Sequence, residues 1–119
     1  MDTGERGRIG EAGIIKFFVE QGYSVFMPMF GNAPCDLIVT LNNEIRRVEV
    51  KATSYLKDKS YIVQLRSMRY NNTKTVAKKF DGNKSDLLAV YIVPEDRVVL
   101  FESAELNGRS TVSVRAMGM

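Results

Sequence analysis

Residues Ala33–Thr53, APCDLIVTLNNEIRRVEVKAT, constrain this chain more than any other stretch. They read as one β-hairpin. Its arms hold Leu37, Ile38, Val39, Val48 and Val50, apolar or β-branched residues that suit strands. Asn42-Asn43 lies between the arms and tolerates the positive φ that both central positions of a type I′ turn require. A two-residue turn sets Leu41 against Glu44 and, further along, Asp36 against Glu49. Directly opposed Cβ atoms in an antiparallel pair lie about 4.5–5.5 Å apart, where like charges repel. Lys51 projects from the same face, roughly 6.5–7 Å beyond Glu49. The other face carries Cys35, Leu37, Val39, Leu41, Val48 and Val50, so a one-residue slip would expose an apolar row. The acidic pair is therefore held in place by a strongly specified apolar face.

A chain of 119 residues with 45% hydrophobic content suits one domain, spanning 1–119, with a modest core. Its longest apolar runs fall far short of the roughly 18 residues a membrane span needs. The start, MDTGERGRIGE, lacks the basic-then-apolar build of a signal peptide, so a cytoplasmic protein with no membrane partner is expected. One cysteine and no histidine remove the usual zinc ligand sets and the Ser-His and Cys-His hydrolases. Any metal must be a hard cation held by oxygen, Mg²⁺ or Mn²⁺. The net charge of +3 is unevenly spread. Lys51–Lys84 contains nine Lys or Arg against Asp58 and Asp81, a local +7, which leaves −4 elsewhere. Such asymmetry suits a phosphate-facing side, although a lysine-rich loop is often only a solvated surface.

Residues 5–21 carry helical periodicity and end at Gly22, which can take the left-handed position after a helix. Ile15, Phe18 and Val19 form the expected apolar stripe. Glu11, four residues before Ile15 and seven before Phe18, projects from that stripe; the plainer alternative is an acid favoured near the helix start by the dipole. Gly7, Gly10 and Gly13 cost helix stability but allow another backbone or a phosphate to approach closely, with Arg6 and Arg8 flanking that opening. Tyr23–Met29 reads as an edge strand interrupted by Pro28. Tyr61–Arg66 is a further strand, and an assumed register puts Gln64 on the face of the acidic cluster. The stretch from Ser67 to Lys84 interleaves basic and aromatic residues, with a short helix expected near Thr75–Phe80. Leu87–Val93, Arg97–Glu102 and Thr111–Arg115 are strands. One helix and about six strands give an α+β fold, a mixed β-sheet with the N-terminal helix packed across one face.

Two opposed carboxylates can bind a divalent cation that cancels their repulsion and polarises a phosphate oxygen. The Val50 backbone carbonyl offers a further ligand, and Glu11 completes the set directly or through water. Lys51 can orient or deprotonate an attacking water and steady charge on the phosphate. Helix acid Glu11, then Pro34-Cys35-Asp36, then Glu49-Val50-Lys51 resembles the signature of the PD-(D/E)XK nuclease superfamily, over roughly residues 5–53. The spacing from Glu11 to Gly22 is similar to that of archaeal Holliday-junction resolvases. Asp86–Tyr91, DLLAVY, looks more like homing endonucleases of cyanobacterial introns. The resemblance implies an α/β/α restriction-endonuclease-like core, with Glu11, Asp36, Glu49 and Lys51 catalytic in Mg²⁺-dependent hydrolysis of DNA phosphodiesters.

An exposed Glu49–Lys51 salt bridge, worth at most about 1 kcal/mol, would leave the opposed Asp36 and the stripe position of Glu11 unexplained. Three functions remain: a sequence-specific homing-type endonuclease, a structure-specific Holliday-junction resolvase, and a catalytically silent DNA-binding module. Opposed carboxylates beside phosphate argue against the third. So small a domain covers about one half-site, so cutting both strands calls for a homodimer, or a tetramer. Arg6, Arg8, Lys57, Lys59, Arg66, Arg69, Lys74, Lys78 and Lys79 are candidate phosphate contacts on double-stranded or branched DNA.

Overall fold

The helix begins where its first orphan donors find a partner. In the computed structural model, which describes residues 1–70 and 75–118, the Asp2 side chain accepts the Glu5 N–H at 2.8 Å, and helix α1 runs Thr3–Glu20. That cap extends the helix two residues upstream of the sequence expectation. At the other end Gly22 has φ 92°, and the Gly22 and Tyr23 N–H groups bond back to Val19 and Phe18 carbonyls, a Schellman arrangement. The buried face is Gly10, Ile14 and Phe18. Val19, expected on the stripe, is 56% exposed. Glycines cause the offset: a Cβ on Gly10 would stand 2.6 Å from the Ala52 Cβ, and one on Gly13 would run into the Tyr91 ring. The helix can therefore sit close to the sheet only along that line.

Among the described residues ten strands follow: β1 Ser24–Phe26, β2 Leu37–Leu41, β3 Glu44–Thr53, β4 Leu56–Lys57, β5 Ser60–Gln64, β6 Ser67–Tyr70, β7 Thr75–Lys78, β8 Leu87–Ile92, β9 Arg97–Glu102 and β10 Thr111–Arg115. The main sheet has the order β1-β2-β3-β8-β9. It is mixed, since β3 and β8 pair in parallel and the other neighbours antiparallel. A second sheet has the order β10-β5-β4, and β6 pairs with β7. The short helix expected near Thr75–Phe80 is instead strand β7, in keeping with its β-branched start, Thr75-Val76. β1 is an edge strand, as expected, and stops before Pro28.

Helix and second sheet cover opposite faces of the main sheet. Ile14 and Phe18 pack with Leu37, Val39, Val48 and Ala89 on one side. On the other, Leu88, Val90 and Ile92 pack with Tyr61, Val63, Val112 and Val114. The fold is α+β with the helix across a mixed sheet, as expected. Where an α/β/α core would carry a second helical layer, the described residues have the β10-β5-β4 sheet. No helix among them is long and apolar enough to cross a membrane.

Two of the helix glycines should respond differently to alanine. Gly7→Ala, with open space around its Cβ position, should stabilise the fold by about 0.5–1 kcal/mol through helix propensity. Gly10→Ala should lose more to overpacking than it gains, a net cost of about 1–2 kcal/mol. Urea unfolding of the two variants checks both signs.

Candidate active site

Register in the central hairpin is set at its tip. Asn42 and Asn43 have φ 51° and 69°, both positive, as a type I′ turn demands. The ladder then runs from Leu41↔Glu44 to Leu37↔Val48, the pairing expected from a two-residue turn. It stops one pair short of Asp36 and Glu49. There the Asp36 N–H bonds to the Val48 carbonyl at 3.0 Å, while Asp36 Oδ2 accepts the Val50 N–H at 2.8 Å. Asp36 thus brackets Glu49 with its backbone on one side and its carboxylate on the other. Rather than forming a ladder pair with Glu49, it finishes the hydrogen bonding of β3 with its side chain.

Within a strand, the N–H and C=O of one residue leave on the same side. Val50 donates its N–H to Asp36, so its carbonyl also points toward that end of β2. Glu49 and Lys51 project from the opposite face to Val48, alongside their parallel partners Leu88 and Val90. They sit at the margin of the core between the two sheets. An open cleft of about 580 Å³ collects Asp36, Glu49, Val50 and Lys51 with Leu65, Ser67, Lys78, Lys79, Phe80, Asp81 and Lys84. The ends of β2 and β3 supply the acids, β7 and the turn before β8 the facing cations.

Glu11 approaches from the other side of the sheet. It is half-buried on α1 and lines a smaller recess with Pro28, Phe30, Asn32, Cys35 and Asp36. Asp36, at the strand end, borders both recesses; Glu11 borders only this one. Among the described residues no three Asp, Glu or Cys side chains converge closely enough to hold a metal by themselves. A cation at Asp36 and Glu49 would draw on the Val50 carbonyl, so the available donors are all oxygen.

A sequence model of a family described as PD-(D/E)XK endonuclease matches residues 1–118. The chain belongs to the PD-(D/E)XK endonuclease family. Among solved structures, one titled "The structure of a bacterial homing endonuclease: I-Ssp6803I" superposes with a TM-score of 0.86 at 21% identity, covering 99% of this chain and 81% of that one. That likeness supports the restriction-endonuclease-like fold. No curated protein matches.

For a member of this family, the electrostatics of the cleft are informative. Burial pushes the Glu49 carboxyl above its ordinary value; Lys51 and Lys84 oppose the rise, and Asp36 and Asp81 add to it. Nearby, Arg47 donates its backbone N–H and guanidinium to Asp86 at 2.8–3.3 Å and holds the Asp86 carboxyl below its ordinary value. The Asp86 N–H in turn bonds to the Arg47 carbonyl at 2.9 Å. This pair ties the start of β8 to β3 one turn away from Glu49. Burial raises the Cys35 thiol, the free cysteine beside Asp36.

The nine basic residues singled out by sequence do not form one patch. Lys78 and Lys79 line the cleft. Arg66 is exposed between cleft residues Leu65 and Ser67. Lys57 and Lys59 sit on the β4–β5 hairpin, whose turn residues Asp58 and Lys59 both have positive φ, and do not border the cleft. Arg6 and Arg8 lie in the first turns of α1, Arg6 half-buried and Arg8 exposed. Lys74 and the side chain of Arg69 lie outside the described residues. Gln64 is exposed on β5 and does not line the cleft; Leu65 and Ser67 from the same segment do. Sequence reading passed over Asp81 and Lys84. The signal available was Asp81-Gly82-Asn83, a turn sequence directly before a strand.

Glu49 carries a stability cost that substitution should relieve. Its carboxyl is raised on folding, so its ionised form disfavours the fold once pH exceeds the ordinary value of 4.5. Glu49→Gln in EDTA should therefore stabilise the protein by about 0.5–1 kcal/mol near neutral pH, and by less at pH 4, where the carboxyl is already protonated in part. Thermal melts at the two pH values measure the difference.

Proposed function

We propose that this chain is a divalent-metal-dependent DNA endonuclease of the sequence-specific homing type, a single nuclease domain acting as a homodimer. The observation that carries the reading is the single cleft bordered by Asp36, Glu49, the Val50 backbone and Lys51 together with Lys78 and Lys79. Carboxylates at phosphate are unfavourable unless a cation joins them, and the facing lysines suit a polyanion.

The donors fit a hard cation. Asp36, Glu49 and the Val50 carbonyl would hold Mg²⁺, with Mn²⁺ as a substitute, and Glu11 would act from its recess on the far side of Asp36. Such an ion supplies Lewis-acid polarisation of the scissile phosphate. The chain's own groups do the rest. Lys51 orients the attacking water and donates to a non-bridging phosphate oxygen as negative charge builds there. The water oxygen bonds to phosphorus while the bond to the leaving sugar oxygen breaks. That oxygen leaves with the bonding pair and takes up a proton, as the water gives one up.

One cleft serves one strand, so a double-strand cut needs a second copy, most simply about a two-fold axis. The homing assignment draws on the likeness to a bacterial homing endonuclease. With DNA as substrate, the cytoplasm is the expected workplace.

Cleavage assays on a random-sequence duplex pool and a four-way junction, with Mg²⁺ or EDTA, test the reading. Glu49→Ala and Lys51→Ala should each slow cleavage by about 10²–10³-fold. Cleavage surviving in EDTA would sink the metal site. Symmetric cuts in junctions of unrelated sequence would identify a resolvase, and tight binding without any cleavage a silent module.

A further inference from the structure

The turn leading into β8 is fastened from both sides. Gly82 donates its N–H to Asn107 Oδ1 at 2.9 Å, and a Cβ at Gly82 would stand 2.5 Å from the Ser103 carbonyl oxygen, so only glycine fits without displacing backbone. Asn83 donates to Asp81 Oδ1 at 2.9 Å. Below the turn, the buried Ser85 and Ser103 hydroxyls share a hydrogen bond of 2.8 Å, and the Ser103 N–H bonds to the Asp86 carbonyl. Across it, Arg47 Nη1 donates to the Asn83 carbonyl at 3.4 Å. Lys84 leaves from this fastened turn and lines the cleft with Glu49 and Lys51.

Lys84 differs from the arginines nearest the site. Arg46 and Arg47 on β3 are committed to carboxylates, Arg46 to Glu44 and Glu102, Arg47 to Asp86. Lys84 has no ion-pair partner among the described residues. Its charge opposes the rise of the Glu49 carboxyl, as that of Lys51 does. A strong cation held near two carboxylates on a rigid turn, and left without a partner, is suited to a third anion entering the cleft.

We propose that Lys84 is a catalytic residue that contacts the scissile phosphodiester, so that two lysines from separate elements, Lys51 on β3 and Lys84 before β8, hold the same phosphate. This rests on the endonuclease reading above. Lys84 donates to a non-bridging oxygen, and its contact strengthens as that oxygen gains charge. The Asp81–Asp86 turn fixes its approach.

Single-turnover cleavage in Mg²⁺ of a duplex selected by wild-type cutting from the random-sequence pool, and equilibrium binding of that duplex in Ca²⁺ across a salt series, test the role. The variants are Lys84→Gln, Lys84→Arg and, as a surface control, Lys16→Gln. At saturating protein, Lys84→Gln should slow cleavage by about 10–100-fold and make the slope of log affinity against log salt shallower by about 0.9, one phosphate contact. Lys84→Arg should recover part of the rate, and Lys16→Gln should match the wild type in both. A Lys84→Gln rate within twofold of wild type overturns the proposal, as does a loss that saturating protein restores. If the wild type binds the pool but no cut sequence can be selected from it, the endonuclease reading fails and the slope measured on the pool alone judges Lys84. An unchanged slope then overturns the phosphate contact, and one shallower by about 0.9 upholds it.

Discussion

Strand β3 is paired antiparallel to β2 over Glu44–Val48 and parallel to β8 over Val48–Thr53, with Gly10 of the helix set against its Ala52. Held by a partner strand over each half and packed on both faces, it has no soft direction in which to move. Its residues thereby become the fixed reference for the cleft. The Val48 carbonyl accepts from the Asp36 N–H, the Val50 N–H donates to the Asp36 carboxylate, and the Arg47 backbone exchanges hydrogen bonds with Asp86. The strand end that carries Asp36 and the turn that carries Lys84 are thus each tied to main-chain groups of β3.

Cleft formation has a cost in core continuity. Glu49 and Lys51 take the face on which Leu88 and Val90 build the core between the sheets. Apolar residues there would extend that core. Two ionisable groups instead end it, and the unfavourable ionisation of Glu49 reflects a polar site held at the rim of an apolar one. Proteins commonly concentrate such locally unfavourable features where chemistry is done.

Local signals made much of this legible in the sequence. Asn42-Asn43 carried the turn and therefore the register, because the positive φ requirement is met by few residues. Alternation carried the buried face of Leu37, Val39 and Val48. The helix was legible in extent but rotated from expectation, since apolar periodicity marked Val19 while close approach at Gly10 and Gly13 decided which side met the sheet. The parallel β3–β8 contact joins segments about 40 residues apart, and no local pattern announces such a pairing. For the same reason Asp81 and Lys84 could not be joined to Glu49 in advance. Assigning Gln64 to the cleft face failed by one residue of register, the smallest error that changes faces in a strand.

The Asn42-Asn43 turn lies beyond the five ladder pairs that end at Leu37, roughly 20 Å from the Asp36 carboxylate it positions. The geometry of the acidic site is thus stored as a loop length at the opposite end of the hairpin. Since β8 holds β3, a residue inserted in the turn and taken up as a one-residue slip of β2, rather than as a longer loop, would turn Asp36 into the helix-side core and Leu37 into the cleft. Every functional side chain would still be present in the sequence, yet the site would no longer exist. A comparison of related chains that tracks only the signature residues would count such a protein as intact, whereas the length of this turn would mark it as silent.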